Sequence, residues 1–125
     1  MRALGLAALC FTACGVDATL TTEKESHSPG ESVTLKLTNR SLAPLGYNLC
    51  GVQLRALGGG RIDDSDGVGV CTLILNRLEG GRWVTSKARP LPGGLPAGRY
   101  FYRTSIEGPD APLTDLESNT FTVTP

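Results

Sequence analysis

Residues 45–50 (LGYNLC) and 70–75 (VCTLIL) are two short apolar runs that each contain one cysteine. Their Val, Ile, Leu, Thr and Tyr content is typical of β-strands. We expect them to be neighbouring strands of one sheet system, fastened by a disulfide between Cys50 and Cys71. The remaining strands of the domain are predicted before and after this pair.

The composition favours strands and turns over helices. The 125 residues include 16 glycines and 8 prolines, and no stretch after residue 20 has the three- and four-residue apolar spacing of a helix. This length suits one domain with one core. Twelve basic residues balance twelve acidic ones, so the overall charge gives no reason to expect nucleic acid or an anionic membrane surface as a partner.

Residues 1–14 (MRALGLAALCFTAC) have the layout of an export signal. Arg2 precedes an apolar run that is too short to span a bilayer, and small residues lead to Cys14. The end of this segment, FTAC, resembles the lipobox of bacterial lipoproteins, although Phe11 stands where leucine is usual. The resemblance implies that Cys14 is acylated and that the protein is extracytoplasmic, with Gly15 implying outer-membrane or cell-surface sorting. The alternative is an ordinary cleaved signal and a secreted protein.

Export also determines how the other cysteines are interpreted. Cys10 leaves with the signal and Cys14 carries the lipid, so Cys50 and Cys71 form an even pair in an oxidising compartment. Such a pair predicts a disulfide. The alternative is a metal site, which needs more donors than one histidine and no CxxC motif can supply. We therefore expect no metal and no cofactor.

Alternating apolar and polar residues predict about seven short strands. The clearest is 32–39 (SVTLKLTN), in which Val33, Leu35 and Leu37 alternate with polar residues. Other strands are predicted at 18–23, 45–57 with a bend near Gly51, 68–76, 82–88, 99–107 and 117–124, with Pro-rich loops at 90–98 and 108–113. This pattern predicts an all-β fold, an antiparallel two-sheet sandwich. Its parts are a signal (1–14), a linker with a first edge strand (15–31) and the sandwich domain (32–125).

Three aromatic residues are candidates for core packing or for binding. Trp83 is expected to fill the core beside the disulfide, the alternative being a ligand platform. Within 99–107 (RYFYRTSIE), the residues Tyr100, Tyr102 and Arg103 form a candidate binding surface for a glycan or an extended peptide. Strand alternation alone also explains this stretch, because it places both tyrosines on one face and Arg103 on the other.

The sequence contains no combination of residues that predicts catalysis. His27 is the one histidine and lies in a polar stretch beside a turn, so we expect a solvated loop residue. Asp64, Asp66 and Gly67 partly match a calcium loop, but Ile62 stands at its first position and Leu73 stands where the loop requires glutamate. A solvated turn is therefore favoured there. We expect a non-catalytic protein, and an unrecognised hydrolase remains the alternative.

The chain resembles the bacterial immunoglobulin-like (Ig-like) domains of exported and lipid-anchored proteins. The resemblance is carried by 33–39 (VTLKLTN) with Ser41, 46–50 (GYNLC), 70–72 (VCT), 95–100 (LPAGRY) and 118–123 (SNTFTV). It implies an Ig-like sandwich fold. The export signal and the all-β pattern without catalytic residues together predict a binding or structural module of the cell envelope, with a protein or glycan as its candidate partner. A weaker similarity is to small all-β domains classed with an intracellular proteinase inhibitor, for which the loop 90–98 would be presented to a protease.

Overall fold

The computed structural model describes residues 17–60, 62, 75–109 and 111–125, with only the backbone at residues 111 and 112. These residues form ten strands and one turn of 3-10 helix at Leu49–Gly51. The strands are β1 (Ala18–Thr22), β2 (Ser26–His27), β3 (Thr34–Asn39), β4 (Leu45–Tyr47), β5 (Gln53–Ala56), β6 (Asn76–Leu78), β7 (Trp83–Lys87), β8 (Gly98–Gly108), β9 (Ala111–Glu117) and β10 (Phe121–Val123). Within this part of the chain, no helix has the length and apolarity to cross a membrane.

The strands form two sheets. The first sheet has the order β1-β3-β7 and is antiparallel. The second has the order β2-β10-β8-β4-β6 and is built around the long strand β8. Strands β4 and β5 pair along one edge of β8, and β9 and β10 pair along the other. The predicted all-β, two-sheet sandwich is confirmed.

Three long strands are interrupted, which explains why ten segments are found where about seven strands were predicted. The first strand begins as β1 in one sheet and continues as β2 in the other, where it runs parallel to β10. The second interruption separates β4 from β5, and the third separates β9 from β10. If each interrupted pair counts as one strand, the described chain has the seven strands of an Ig-like sandwich.

The core lies between the sheets, and β3 shows how the sequence forms it. Val33, Leu35 and Leu37 are buried, as the alternation predicted, and Lys36 between them is exposed. Burying a side chain of this size contributes about 2 kcal/mol. The second sheet contributes several buried residues to the same core: Leu45, Leu54, Leu78, Tyr100, Tyr102, Ile106, Phe121 and Val123.

The predicted bend near Gly51 is confirmed. It is the 3-10 turn, which starts after Asn48 and buries Leu49. The Asn48 side chain accepts a hydrogen bond from the N–H of Cys50 at 3.0 Å, which satisfies a donor that the turn leaves without a partner. The chain therefore leaves β4, turns over the core and returns to β8 as β5.

One predicted loop is wrong, and one predicted strand lies mostly outside the described residues. The loop predicted at 108–113 is wrong, because β9 already begins at Ala111, which pairs with Gly108 across a tight turn. The strand predicted at 68–76 lies mostly outside the described residues. Its end is the exposed Leu75 and the first residue of β6.

Candidate functional site

The candidate surface of Tyr100, Tyr102 and Arg103 is not a surface, because both tyrosines are buried. The Tyr100 hydroxyl donates to the carbonyl of Pro96 at 2.7 Å, and the Tyr102 ring stacks on Phe121 with centroids 5.5 Å apart. A tyrosine that closes onto the backbone a few residues upstream is a feature of Ig-like sandwiches. Strand alternation is the correct explanation of this stretch.

Arg103 lies on the outer face of β8 and acts between strands. Its Nη2 donates to Oε2 of Glu117 on β9 at 2.7 Å, and Asp115 lies further along the same strand. The hydrogen bond that Arg103 donates to the Glu117 carboxylate raises the pKa of Arg103. These contacts tie β9 to β8, and the binding role expected for Arg103 is not supported.

Three predicted positions involve cysteines. Cys50 is exposed in the 3-10 turn and is disulfide-bonded. Cys71 lies outside the described residues, so its pairing with Cys50 stays a prediction. Cys14 also lies outside them, and its acylation stays a prediction.

Trp83 is not a core residue. It is the first residue of β7, is 59% exposed, and stands on the outer face of the first sheet. The Nζ of Lys36 lies 4.7 Å from the centre of its ring, in a cation–π contact. The core prediction was wrong because Trp83 and Val84 point to opposite faces of β7, and the half-buried Val84 points inward.

His27 is not a solvated loop residue either. It is 2% exposed in β2, its Nδ1 lies 2.8 Å from Oε2 of Glu31, and its ring packs edge-on against Phe121. Its Nε2 is enclosed and has no hydrogen-bond partner within the described residues. An enclosed nitrogen cannot reach a substrate, so the geometry gives His27 no role as a base.

Glu31 connects three groups around this histidine. Its carboxylate accepts from Lys24 Nζ at 2.5 Å, from the N–H of Ser28 at 2.8 Å, and contacts His27. The hydrogen bond from Lys24, followed by those from Ser28 and His27, lowers the pKa of Glu31 to about 2. The cluster holds the turn between β2 and β3.

The aspartates of the suggested calcium loop lie outside the described residues. Among the described residues, no three or more His, Cys, Asp or Glu side chains are grouped so that they could hold a metal ion.

A groove of about 860 Å³ lies between the two sheets along β7. One wall is the continuous segment 84–90, and the other is formed by β4, the 3-10 turn and β5. Its apolar lining includes Leu49, Val52, Leu54, Val84, Ala88, Leu95 and Tyr102. The charged residues of the described lining are Lys87 and Arg89, both cations. The volume lies within the range of known ligand sites.

The main chain of β7 presents hydrogen-bonding groups along this groove. The N–H of Asn39 donates to the carbonyl of Arg82, and the N–H of Ala88 donates to that of Val33. Because antiparallel pairs alternate, the even-numbered residues of β7 bond to β3 and the odd-numbered ones point away from it. Within the described residues, β3 is the one strand that pairs with β7. Among the described residues, no strand pairs with the N–H and C=O groups of Trp83, Thr85 and Lys87, and we refer to this side of β7 as the open edge.

No protein-family profile matches this sequence, and no curated protein matches it. Solved structures are similar in fold. The periplasmic chaperone SfaE is 13% identical with a TM-score of 0.54, over 87% of this chain and 58% of SfaE. This chain therefore spans less than two thirds of that protein.

Two further structures are similar at lower scores. The seventh PapD-like domain of human CEP192 is 17% identical with a TM-score of 0.44, over 87% of this chain and 83% of the domain. The soluble domain of PmoD from Methylocystis is 8% identical with a TM-score of 0.41, over 90% of this chain and 99% of that one. Fold similarity at such identities says nothing about activity. The similarity to SfaE agrees with the Ig-like, two-sheet sandwich.

Proposed function

We propose that the chain is a non-catalytic binding module of the bacterial cell envelope. Residues 1–14 export it, a lipid on Cys14 holds it at the membrane, and its binding site is the groove along β7. The occupant of the groove is an extended peptide segment that joins the first sheet as a fourth strand beside β7.

The open edge of β7 is the observation that carries this proposal. Main-chain groups of Trp83, Thr85 and Lys87 point along the groove, and a peptide strand satisfies them with its own N–H and C=O groups. The wall 84–90 is seven residues long, so an extended peptide lies along it for about 20 Å. The apolar lining then receives alternate side chains of the peptide, which gives the site its selectivity.

The charge of the groove favours an acidic peptide. Lys87 and Arg89 are the charged residues in the described lining, and both lie toward the end of β7. Lys87 lies on the exposed face of β7 and therefore at the rim of the groove, where its ammonium group remains hydrated. A carboxylate near one end of the peptide complements Lys87.

The loop 90–98 does not support the alternative of a proteinase inhibitor. Leu91 and Leu95, its two large side chains, are buried, and the exposed residues are proline, glycine and alanine. A protease that binds this loop as a substrate therefore meets no large side chain to fill its specificity pocket.

Selection from a library of random phage-displayed peptides tests the proposal. Peptides that bind the purified full chain should be acidic and extended, and should lose affinity when alternate backbone nitrogens are methylated, because methylation removes the donors that a strand needs. Fluorescence anisotropy measures the affinity. Failure to enrich any peptide, or enriched peptides that tolerate methylation in both registers, would contradict strand addition.

Two substitutions at one position provide the matched control. Thr85→Pro removes an N–H that points to the open edge, where proline is tolerated, and should weaken binding about tenfold or more. Thr85→Val keeps this N–H and the branched shape, and should bind like wild type. Lys87→Gln should reduce the preference for acidic peptides, while Lys36→Gln, outside the groove lining, should leave it unchanged.

The lipid tether has a separate test. Cells are grown with radioactive fatty acid, and incorporation is compared between the wild-type chain and Cys14→Ala. Labelling of the wild type alone supports the tether, and equal labelling of both proteins rejects it.

A further inference from the structure

Leu42 is a fully exposed leucine at the tip of the loop between β3 and β4. Its relative exposure is 101%, the largest among the exposed large hydrophobic residues of the described chain. A single exposed leucine is common on protein surfaces. This one is unusual because the loop beneath it is held in one conformation.

The loop is held by a buried side chain and by close packing. The buried Asn39 donates from Nδ2 to the carbonyl of Ala43 and accepts at Oδ1 from the N–H and hydroxyl of Ser41. From the other side, a Cβ added at Gly80 would lie 2.6 Å from the carbonyl oxygen of Leu42, so the 79–82 turn packs directly on the loop. Leu42 is therefore presented on a fixed support.

Two arginines and the exposed tryptophan lie at the same end of the sandwich. The N–H of Asn39, where β3 ends, donates to the carbonyl of Arg82, just before β7 begins with Trp83. Arg40 and Arg82 are exposed, and neither has an ion-pair partner within the described residues. Glu79 in the neighbouring turn is already paired with Arg77. Leucine, tryptophan and arginine are the residues that bind the interface of an anionic bilayer.

The chain enters the domain at this end as well. The N–H of Arg40 donates to the carbonyl of Asp17 at 2.8 Å, so the first described residue lies against the Leu42 loop. Cys14 is three residues earlier, and three residues span at most about 11 Å. A lipid on Cys14 therefore brings this end, and no other, to the bilayer surface.

We infer that this end of the domain, defined by Asp17, Arg40, Leu42, Arg82 and Trp83, docks on the lipid surface. We refer to it as the Leu42 end. Leu42 inserts between acyl chains, Trp83 lies at the level of the headgroups, and the two arginines contact anionic phosphates. The inference rests on the tether of the proposed function for its geometry, but it adds a second contact that fixes how the domain stands on the membrane.

Fluorescence of Trp83 tests the inference, because it is the one tryptophan in the sequence. The full chain, isolated from membranes with its acyl group, is reconstituted in vesicles of phosphatidylethanolamine and phosphatidylglycerol that contain lipids brominated on the acyl chain. Docking predicts a blue shift of Trp83 emission and quenching by bromine. Quenching should decrease when phosphatidylglycerol is omitted or salt is raised, because the arginines then lose their partners.

Two leucine substitutions separate docking from mere proximity. Leu42→Asp should reduce quenching about tenfold, because it removes the leucine side chain that inserts into the bilayer. Leu57→Asp makes the same change at a 52% exposed leucine beside Arg99, at the opposite end of the sandwich, and should quench like wild type. Circular dichroism checks that both variants are folded.

The outcomes distinguish the inference from the tether. If the wild-type chain is acylated but Trp83 emits as in solvent and is not quenched, docking is overturned and the tether stands. Equal quenching of Leu42→Asp and wild type has the same meaning. The second result would assign Leu42 to a protein partner. If the chain is not acylated, the tether is rejected. Docking then still predicts quenching that depends on Leu42 at high lipid concentration, and a lack of this quenching overturns docking as well.

Discussion

The amide Nδ2 of Asn39 donates to the carbonyl of Leu78 at 3.0 Å, although the two residues are 39 positions apart in sequence. Asn39 ends β3 in the first sheet, and Leu78 ends β6 in the second. The hydrogen bond therefore joins the two sheets at the Leu42 end. Both residues are buried, so neither group can replace its partner with water.

Substitution of Asn39 should destabilise the whole domain. Asn39→Ala removes the side-chain donor to the carbonyl of Leu78 and one of the two side-chain donors to that of Ala43, and should lower the free energy of unfolding by about 2–3 kcal/mol in urea denaturation. Asn76→Ala, at an exposed asparagine, should change it by less than about 0.5 kcal/mol. Equal effects of the two substitutions would contradict this role of Asn39.

The hydroxyl of Tyr100 should stabilise the corner before β8. Tyr100→Phe removes its hydrogen bond to Pro96 and should cost about 1 kcal/mol, or a decrease of about 4 °C in Tm. Differential scanning calorimetry measures the change. Tyr47→Phe is the control, and a decrease of the same size in that variant would show that the corner is not the cause.

Glu31 should make stability depend on acidic pH. Its pKa is about 2 in the folded protein, lowered chiefly by Lys24, against an ordinary value of 4.5. Because the folded pKa is the lower one, the stabilisation is complete above about pH 4.5 and is lost as the pH falls toward 2. The Tm of wild type should fall over this range more steeply than that of Glu31→Gln. The exposed Glu25→Gln should follow wild type, and identical profiles for wild type and Glu31→Gln would refute the role of this carboxylate.

The predicted Cys50–Cys71 disulfide should stabilise the domain. It closes a loop of about 20 residues, worth about 3 kcal/mol in the chain-entropy model, so reductant should lower the Tm by several degrees. Calorimetry with and without reductant measures this, and thiol titration shows whether the bond has opened. Cys71→Ala should have the Tm of the reduced wild type. An unchanged Tm after release of both thiols would rule out a stabilising bridge.

The sequence allowed good predictions where one strand alone contains the necessary information. Val33, Leu35 and Leu37 were predicted to be buried because alternation within a single strand identifies them. Trp83 was misassigned because in WVTSK both faces begin with an apolar residue, and strand order in the sheet decides which of them is inside. His27 was misassigned because its burial depends on β10, almost a hundred residues away.

The candidate site was beyond prediction for the same reason. The sequence does not reveal that β3 alone pairs with β7 among the described strands, since this depends on the sheet topology. Nor does it reveal that Arg40 bonds to Asp17 and that Asn39 bonds to Arg82, because both are long-range backbone hydrogen bonds. A fully exposed Leu42 follows from the hydrogen bonds of Asn39, which no local pattern indicates.

Hydrogen exchange of the β7 amides in the free full-length protein tests the central claim, an open strand edge, most directly. By NMR, the amides of Val84 and Ser86 should exchange slowly because they bond to β3, and those of Thr85 and Lys87 should exchange rapidly because they face the open edge. A bound peptide should protect Thr85 and Lys87. Slow exchange of all four amides without a peptide would contradict the account, since the edge would already be paired.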